Sequence, residues 1–438
     1  MSPLEIAALV GIVTLVVLAS GIPIAFGLGI VSISFLVAFQ GLDSLSTLGE
    51  TFFAGIAEFS LVSIPMFIVM GAAVASSPAG KDLYEGLDRW LDRMPGGLVV
   101  SNVSACAIFA ALSGSSPATC AAIGKMGIPE MRQRGIPDTL ATGSIAAGGT
   151  LGILIPPSIT MIVYGIATET SIGRLFIAGI LPGVMLTLLF IAWAVFDAWR
   201  SGYSLSGGGR RFSLREKIVI LPRILPFLAI IVGILYVLYG GVATPSEAAG
   251  VGAVLCIILV AVIYRIWRPS LIWRIFREST RESVMIMMII AASALFSFTL
   301  SNLYVTQSMA EWIAALEVNR WVLIGIINLF LLVAGFFLPP VAVILMTAPI
   351  LLPIITQAGF DPYWFAVVLT INMEIGLITP PVGLNLYVIN GIVPDVRLQT
   401  VLWGALPFAL CMVVGILLLC VFPEIATWLP VYLMGSAQ

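Results

Sequence analysis

The residues best placed to do chemistry in this chain are not ionisable. They are four short interruptions of otherwise apolar stretches: Ser113-Gly114-Ser115-Ser116-Pro117, Ile155-Pro156-Pro157-Ser158, Leu338-Pro339-Pro340 and Thr379-Pro380-Pro381. Proline lacks a backbone N–H and clashes with the preceding turn, so a helix opens there. Opened carbonyls cannot face lipid; they need protein, water or a cation around them. Carbonyls at helix C-termini suit a cation such as Na⁺, and N–H groups at helix N-termini suit a carboxylate.

These interruptions recur. Pro156-Pro157 and Pro380-Pro381 lie 224 residues apart, and at that offset Gly152 falls on Gly376, Pro129 on Pro353, Gln133 on Gln357, and Ser115-Ser116 on Pro339-Pro340. Each half therefore carries a broken hairpin and, 40 residues on, a broken helix. Discontinuous helices paired between halves are the sequence mark of a secondary transporter's binding site. A single Pro-Pro kink would be read as structural; four breaks at matched offsets point to ion or substrate coordination.

The elements that hold these breaks must be membrane helices. Of 438 residues, 60% are hydrophobic and 10% charged, and the mean hydropathy is +1.12. A soluble domain carries about 25% charged residues, so the main solvent here is lipid. That excludes a soluble enzyme, a secreted domain, a nucleic-acid binder and a disordered chain. With no histidine, Ser-His-Asp catalysis, His-ligated metals and imidazole relays are also excluded. The five cysteines lie in apolar stretches without a CxxC pair and read as small buried hydrophobes. There is no Walker A motif and no GxGxxG after a strand. No cofactor is expected, and nothing on this chain would use ATP. The N-terminus lacks a basic n-region and reads as a first transmembrane helix, not a signal peptide.

The expected fold is an all-α polytopic membrane protein with about 11 transmembrane helices and two re-entrant helical hairpins, counted at ~20 apolar residues per span. Residues 1–59 form N-terminal scaffold helices and an arm. Residues 60–198 form a first repeat with a hairpin (97–132) and a broken helix (139–170). Residues 199–281 hold basic cytoplasmic loops around a scaffold helix pair that turns at Gly240-Gly241. Residues 282–438 form a second repeat with a hairpin (321–358) and a broken helix (362–393). Segment 81–93 reads as an amphipathic helix, either for the membrane interface or for cytoplasmic packing. Segment 199–223, with Arg200, Arg210, Arg211, Arg215, Lys217 and Arg223, reads as a loop. A second basic cluster, Arg265 to Arg281, shares its side, and the positive-inside rule makes that side cytoplasmic.

Several motifs then resemble one family. Leu112-Ser113-Gly114-Ser115-Ser116-Pro117-Ala118-Thr119 with Ile128-Pro129-Glu130-Met131, and Gly149-Thr150-Leu151-Gly152-Ile153-Leu154-Ile155-Pro156-Pro157-Ser158, resemble two signatures of the large membrane subunit of TRAP (tripartite ATP-independent periplasmic) transporters. Ser63-Ile64-Pro65-Met66-Phe67, Ala243-Thr244-Pro245-Ser246-Glu247-Ala248 and Gly376-Leu377-Ile378-Thr379-Pro380-Pro381-Val382-Gly383-Leu384-Asn385 also fit. The resemblance implies an inverted-repeat, elevator-type secondary transporter of the bacterial inner membrane, similar to the ion transporter superfamily. It would import an organic acid with Na⁺ as coupling ion. Its implied partners are a periplasmic substrate-binding protein, a small four-helix membrane subunit (here expected as a separate polypeptide) and the lipid bilayer.

The resemblance also implies residue roles. One Na⁺ site would use Ser113, Ser116, Gly152, Ile155 and Pro157; the other Gly335, Gly376, Thr379 and Val382. Oxygen ligands suit a hard cation. The substrate would sit near Ser115, Pro340 and Asn385. Three in-membrane ionisable residues invite a functional reading. Lys125 would add positive field or snorkel to the interface. Glu374 would support the second Na⁺ site or serve helix packing. Glu247 would be a cation ligand or a helix cap, the cap being favoured. Two other readings stay open: a single-component carboxylate permease of similar fold, and a polytopic membrane enzyme, against which stands the lack of a paired intramembrane aspartate or a DxxD-type cluster.

Overall fold

A computed structural model of the chain describes residues 1–92, 94, 96–200, 212–315 and 318–435. Every regular element among them is helical. Arg93, the Gly207-Gly208-Gly209 run, Arg210 and Arg211 lie outside the described residues.

The repeat that showed only at helix breakers extends to whole elements. The first hairpin consists of Gly97–Ser113 and Ser116–Gln133, the second of Arg320–Phe337 and Pro340–Gln357. The first broken helix consists of Asp138–Thr150 and Ile159–Ala167, joined through a 3-10 turn at Leu151–Ile153; the second consists of Pro362–Leu377 and Leu384–Ile392. Starts and ends agree at the 224-residue offset to within a residue once the turn Leu151–Ile153 is counted with its helix. The short helices Ala79–Trp90 and Val305–Ala315 precede the hairpins, and the long helices Ile172–Arg200 and Leu398–Val421 follow the broken helices, at nearly the same spacing. Both Pro-Pro bonds, Pro156-Pro157 and Pro380-Pro381, are cis.

The two repeats are packed through each other. The second arm of each hairpin lies against the second arm of the other repeat's broken helix. The first arm of each broken helix lies against the long helix of the other repeat. The contact between Asp138–Thr150 and Leu398–Val421 leaves no room for a side chain at its centre. A Cβ on Gly404 would overlap the Thr139 carbonyl, and one on Gly143 would overlap the Gly404 backbone. Two small residues let the backbones meet, as membrane helix pairs commonly do.

Among the described residues, seven helices are long and apolar enough to cross a membrane, or eight if the bent pair Leu42–Ala54 and Phe59–Ala75 forms one span. Pro3–Ala19, Ile24–Gln40, Gly97–Ser113 and Pro362–Leu377 are apolar but shorter. Leu214–Tyr239 and Pro245–Tyr264 form a helix pair that packs together.

Two expectations are corrected. Segment 199–223 is not a loop throughout, because Leu214–Tyr239 begins inside it. Ser213 and Glu216 form a capping box there, each side chain bonding the other's backbone N–H; the Ser-x-x-Glu signature is visible in the sequence. Arg274, Arg277 and Arg281 do not lie in a connection but on the helix Pro269–Asn302.

The amphipathic segment packs against protein. Ala79–Trp90 spends its polar face on protein. Asp82 is buried and accepts from the Tyr264 hydroxyl at 2.9 Å, with Arg223 at 3.5 Å. Asp88 takes both Arg134 guanidinium nitrogens, at 3.3 and 3.0 Å. Just beyond the helix, Asp92 pairs with Lys217 at 2.7 Å, both nearly sealed from solvent. The Trp90 indole N–H donates to the Lys217 carbonyl at 3.3 Å. This short helix thus ties the pair Leu214–Tyr239 and Pro245–Tyr264, through Lys217 and Arg223, to the base of the first hairpin, through Arg134.

Gly404→Ala should sharply reduce the yield of folded protein or its melting temperature, by roughly 1–3 kcal/mol of overpacking or more. Gly250→Ala, where an added Cβ meets nothing within 4 Å, should leave the melting temperature unchanged or raised. Thermal melts of detergent-purified variants compare the two.

Candidate functional site

The first hairpin ends at Ser113 with Gly114 in the left-handed region, φ +57°. Its second arm starts at Ser116 with proline at its second position. The tip is held by its own hydroxyls. Ser113 Oγ and Thr119 Oγ1 are 2.7 Å apart, and Thr119 Oγ1 donates to the Ser115 carbonyl at 2.9 Å. Ser113, Ser116 and Thr119 are buried and Ser115 is half-buried. The tip abuts the first break directly. A Cβ on Gly152 would stand 2.7 Å from the Ser115 carbonyl oxygen, and one on Gly114 would stand 2.9 Å from that of Pro157. Gly114 and Gly152 are glycine because backbone must approach backbone here. Ser158 closes the break as N-cap of Ile159–Ala167, accepting from Met161 N at 3.2 Å.

The second half repeats this arrangement. A Cβ on Gly376 would overlap the Gly335 carbonyl, so the second break abuts the second tip. Val382 N donates to the Phe336 carbonyl at 3.2 Å, and Thr379 Oγ1 donates to the Ile375 carbonyl at 2.6 Å. Gly383, φ +50°, turns the chain into the next helix. The Asn372 amide donates to the Asn328 side chain and ties the broken helix to the hairpin one turn deeper. The surroundings differ from the first half. Pro380, Pro381 and Val382 are exposed, whereas the first break is buried except for half-buried Ile155.

Structure therefore groups Ser113, Ser116, Gly152 and Pro157 at one tip, and Gly335, Gly376, Thr379 and Val382 at the other. The Ile155 side chain packs toward Gly183, and its backbone N–H returns to Leu151 at 2.9 Å. Both tips present backbone and hydroxyl oxygens without a charged side chain, a donor set that fits a hard monovalent cation. Both also present a helix N-terminus, whose N–H groups fit an anion. Pro340 opens its helix without an N–H of its own and is half-buried.

Asn385 joins the two halves. Its amide nitrogen donates to Ser116 Oγ at 2.7 Å and to the Ala146 carbonyl at 3.0 Å, while Ser116 Oγ lies 3.1 Å from its amide oxygen. The amide expected to meet substrate is thus engaged within the protein, across the seam between repeats.

The ionisable residues separate. Glu247 is a cap: its carboxylate accepts from Thr244 N at 2.8 Å and from Thr244 Oγ1 at 2.9 Å. Lys125 is exposed on the second arm of the first hairpin. Glu374 is fully buried, and no protein group among the described residues donates to either of its oxygens. At the hairpin base, Arg132 binds Asp138 at 2.9 Å and Asp395 at 2.6 Å; that guanidinium hydrogen bond holds the Asp395 carboxyl below its ordinary range. The Asn328–Asn372 and Asp88–Arg134 ties were not foreseen, since neither has a local sequence signal.

Intertwined repeats with paired broken helices define a polytopic membrane permease. Residues 11–425 match the family model described as Tripartite ATP-independent periplasmic transporter, DctM component, and the chain belongs to that family. It is a multi-pass large permease subunit and not an enzyme. The C4-dicarboxylate TRAP transporter large permease protein DctM of Pseudomonas aeruginosa is 38% identical over 391 residues, covering 89% of this chain and 91% of that protein. The ectoine TRAP transporter large permease protein TeaC of Halomonas elongata is 33% identical, covering 98% and 99%. Among solved structures, the Alcanivorax borkumensis YdaH transporter shares the fold with a TM-score of 0.58 at 18% identity, covering 91% of this chain and 90% of that one.

Asn385→Ala should cost about 1–3 kcal/mol at the seam by leaving Ser116 without its partner. At ~1.4 kcal/mol per decade, amide exchange at the first tip should speed up roughly tenfold. Peptide-level hydrogen exchange over 110–120 measures this; unchanged protection would show that the bond does not hold the tip.

Proposed function

We propose that this permease imports a carboxylate-bearing organic acid coupled to Na⁺, in the inner membrane of a bacterium. A periplasmic binding protein would deliver the substrate, and a small four-helix subunit would brace the scaffold. The observation that carries the reading is the doubled arrangement of tip against break, built from oxygens and helix ends and lacking a charged ligand at either tip.

In this reading, Ser113, Ser116, Gly152, Ile155 and Pro157 hold one Na⁺, and Gly335, Gly376, Thr379 and Val382 hold the other. Ser115 and Pro340 line the space between the tips, where hairpin N–H groups meet the substrate carboxylate. Asn385 positions Ser116 from across the seam. Lys125 snorkels to the interface.

Topology supports an inverted relation between the repeats. From Ser116 to Pro340 the chain crosses five times if the first broken helix, Ile172–Arg200, Leu214–Tyr239, Pro245–Tyr264 and Pro269–Asn302 each cross once. An odd number places the hairpin bases on opposite sides. The basic residues near 199–223 and 265–281 then fall on the cytoplasmic side, with Ala79–Trp90 and Arg134. Such a fold moves its site by shifting hairpins and broken helices as one body against the scaffold, as in an elevator.

Voltage would act through stoichiometry. One net charge crossing ~100 mV is worth about 2.3 kcal/mol. A dianion with two Na⁺ moves no net charge, whereas a monoanion with two moves one.

Proteoliposome uptake tests the reading. With the small subunit and binding protein present, uptake should need an inward Na⁺ gradient. Thr379→Ala and Ser116→Ala should each raise the half-saturating Na⁺ concentration roughly tenfold, the equivalent of ~1.4 kcal/mol. Wild-type Na⁺ dependence in both variants would overturn the ligand assignment. Uptake by this chain alone would favour a single-component permease.

A further inference from the structure

Glu374 is the buried acid that the preceding roles leave unused. The other buried acids are paired: Asp82 with Arg223 and Tyr264, Asp88 with Arg134, Asp92 with Lys217. Glu374 is 0% exposed, and neither carboxylate oxygen has a protein donor among the described residues. A carboxylate sealed in apolar surroundings is costly unless a cation or donors meet it.

Its place in the fold indicates what meets it. Along Pro362–Leu377, one face looks at the second hairpin: Asn372 binds Asn328, Met373 touches Gly335, and Gly376 closes on the Gly335 carbonyl. Glu374 belongs to a different strip, with Thr370, Val367 and Tyr363 at helical spacing. At the far end of that strip the Arg174 guanidinium lies 6.0 Å over the Tyr363 ring, and the Tyr164 hydroxyl donates to the Pro362 carbonyl at 3.0 Å. Arg174 and Tyr164 both belong to the first repeat. Pro362–Leu377 also packs against the turn Leu151–Ile153 at the first break. The Glu374 strip therefore faces the seam between the repeats, away from the second hairpin.

The residue is also asymmetric. Its counterpart at the 224-residue offset is Thr150, a buried hydroxyl bonded to the Ala147 carbonyl at 2.7 Å. A need shared by both repeats would be met in both; a carboxylate in one half serves something that half alone does.

We propose that the Glu374 carboxylate ligates a further buried Na⁺, distinct from the two tip sites and lying in the seam between the repeats. The proposal rests on the Na⁺-coupled reading and deepens it. A third Na⁺ would give a dicarboxylate one net positive charge per cycle, so the membrane potential would drive its uptake.

The experiment measures the Na⁺:substrate ratio from reversal potentials in proteoliposomes holding the complete transporter. A second readout is the Na⁺-induced rise in melting temperature of the purified complex. Glu374→Gln should lower the ratio by one and shrink the Na⁺-induced rise, because one linked ion is lost. Glu374→Asp, which keeps the charge on a shorter arm, should keep the ratio and weaken Na⁺ affinity roughly tenfold; it also decides the matter if the Gln variant does not fold. A wild-type ratio and melting shift in Glu374→Gln, or unchanged Na⁺ affinity in Glu374→Asp, overturns the proposal. Weakened Na⁺ dependence in Thr379→Ala alongside an unaffected Glu374→Gln removes the seam site alone and leaves the Na⁺ coupling standing. Absence of any Na⁺ effect on the wild type sinks the coupling itself.

Discussion

The structure depends on one constraint: in lipid, a backbone that leaves its helix must be satisfied by other protein, by water or by an ion. Four openings in one chain would be a liability if each faced the bilayer alone. Here each is turned toward another. The Ser115 carbonyl meets Gly152, the Pro157 carbonyl meets Gly114, and the Gly335 carbonyl meets Gly376. Glycine at these points follows from backbone approaching too closely to leave room for a Cβ.

Pairing the openings requires the two repeats to interpenetrate. Neither hairpin packs only within its own half, and Asn385 fastens the second broken helix to the first tip through Ser116 and Ala146. Hydrogen bonds thus reach from the first tip, through Ser116 and Asn385, to the second break, and on to the second tip through Val382 and Phe336. The charged residues do different work. Several gather where Ala79–Trp90 is bound to the pair Leu214–Tyr239 and Pro245–Tyr264 through Asp82 and, with Asp92 just beyond its end, through Lys217, and to the first hairpin through Asp88. A pair such as Asp92–Lys217 tolerates burial because each side chain supplies the other's missing solvation.

The legible parts of the chain were those with local physical causes. Breaks followed from Pro and Gly, spans from apolar length, and the cap role of Glu247 from its place beside Thr244-Pro245. A capping signature was also present at Ser213-Leu214-Arg215-Glu216 but was masked by the surrounding arginines, so a helix start was read as loop. Arg274 to Arg281 misled in the same way, since a basic run on an exposed helix face looks like a connection. The expected Na⁺ ligands rested on the resemblance of their motifs, and the structure groups all of them but Ile155 at two tips.

By itself the sequence determined the solvent, the helical class, the two-fold repetition and the places where helices open, because each follows from residue type and spacing along the chain. Only the tertiary structure decided which openings meet. It alone committed the Asn385 amide to Ser116, paired Asn328 with Asn372, and buried Glu374 without a donor among the described residues. Those outcomes join residues about 40 to 270 positions apart, or depend on which side of a helix faces another repeat; such distances carry no local signal and are set only when the helices pack.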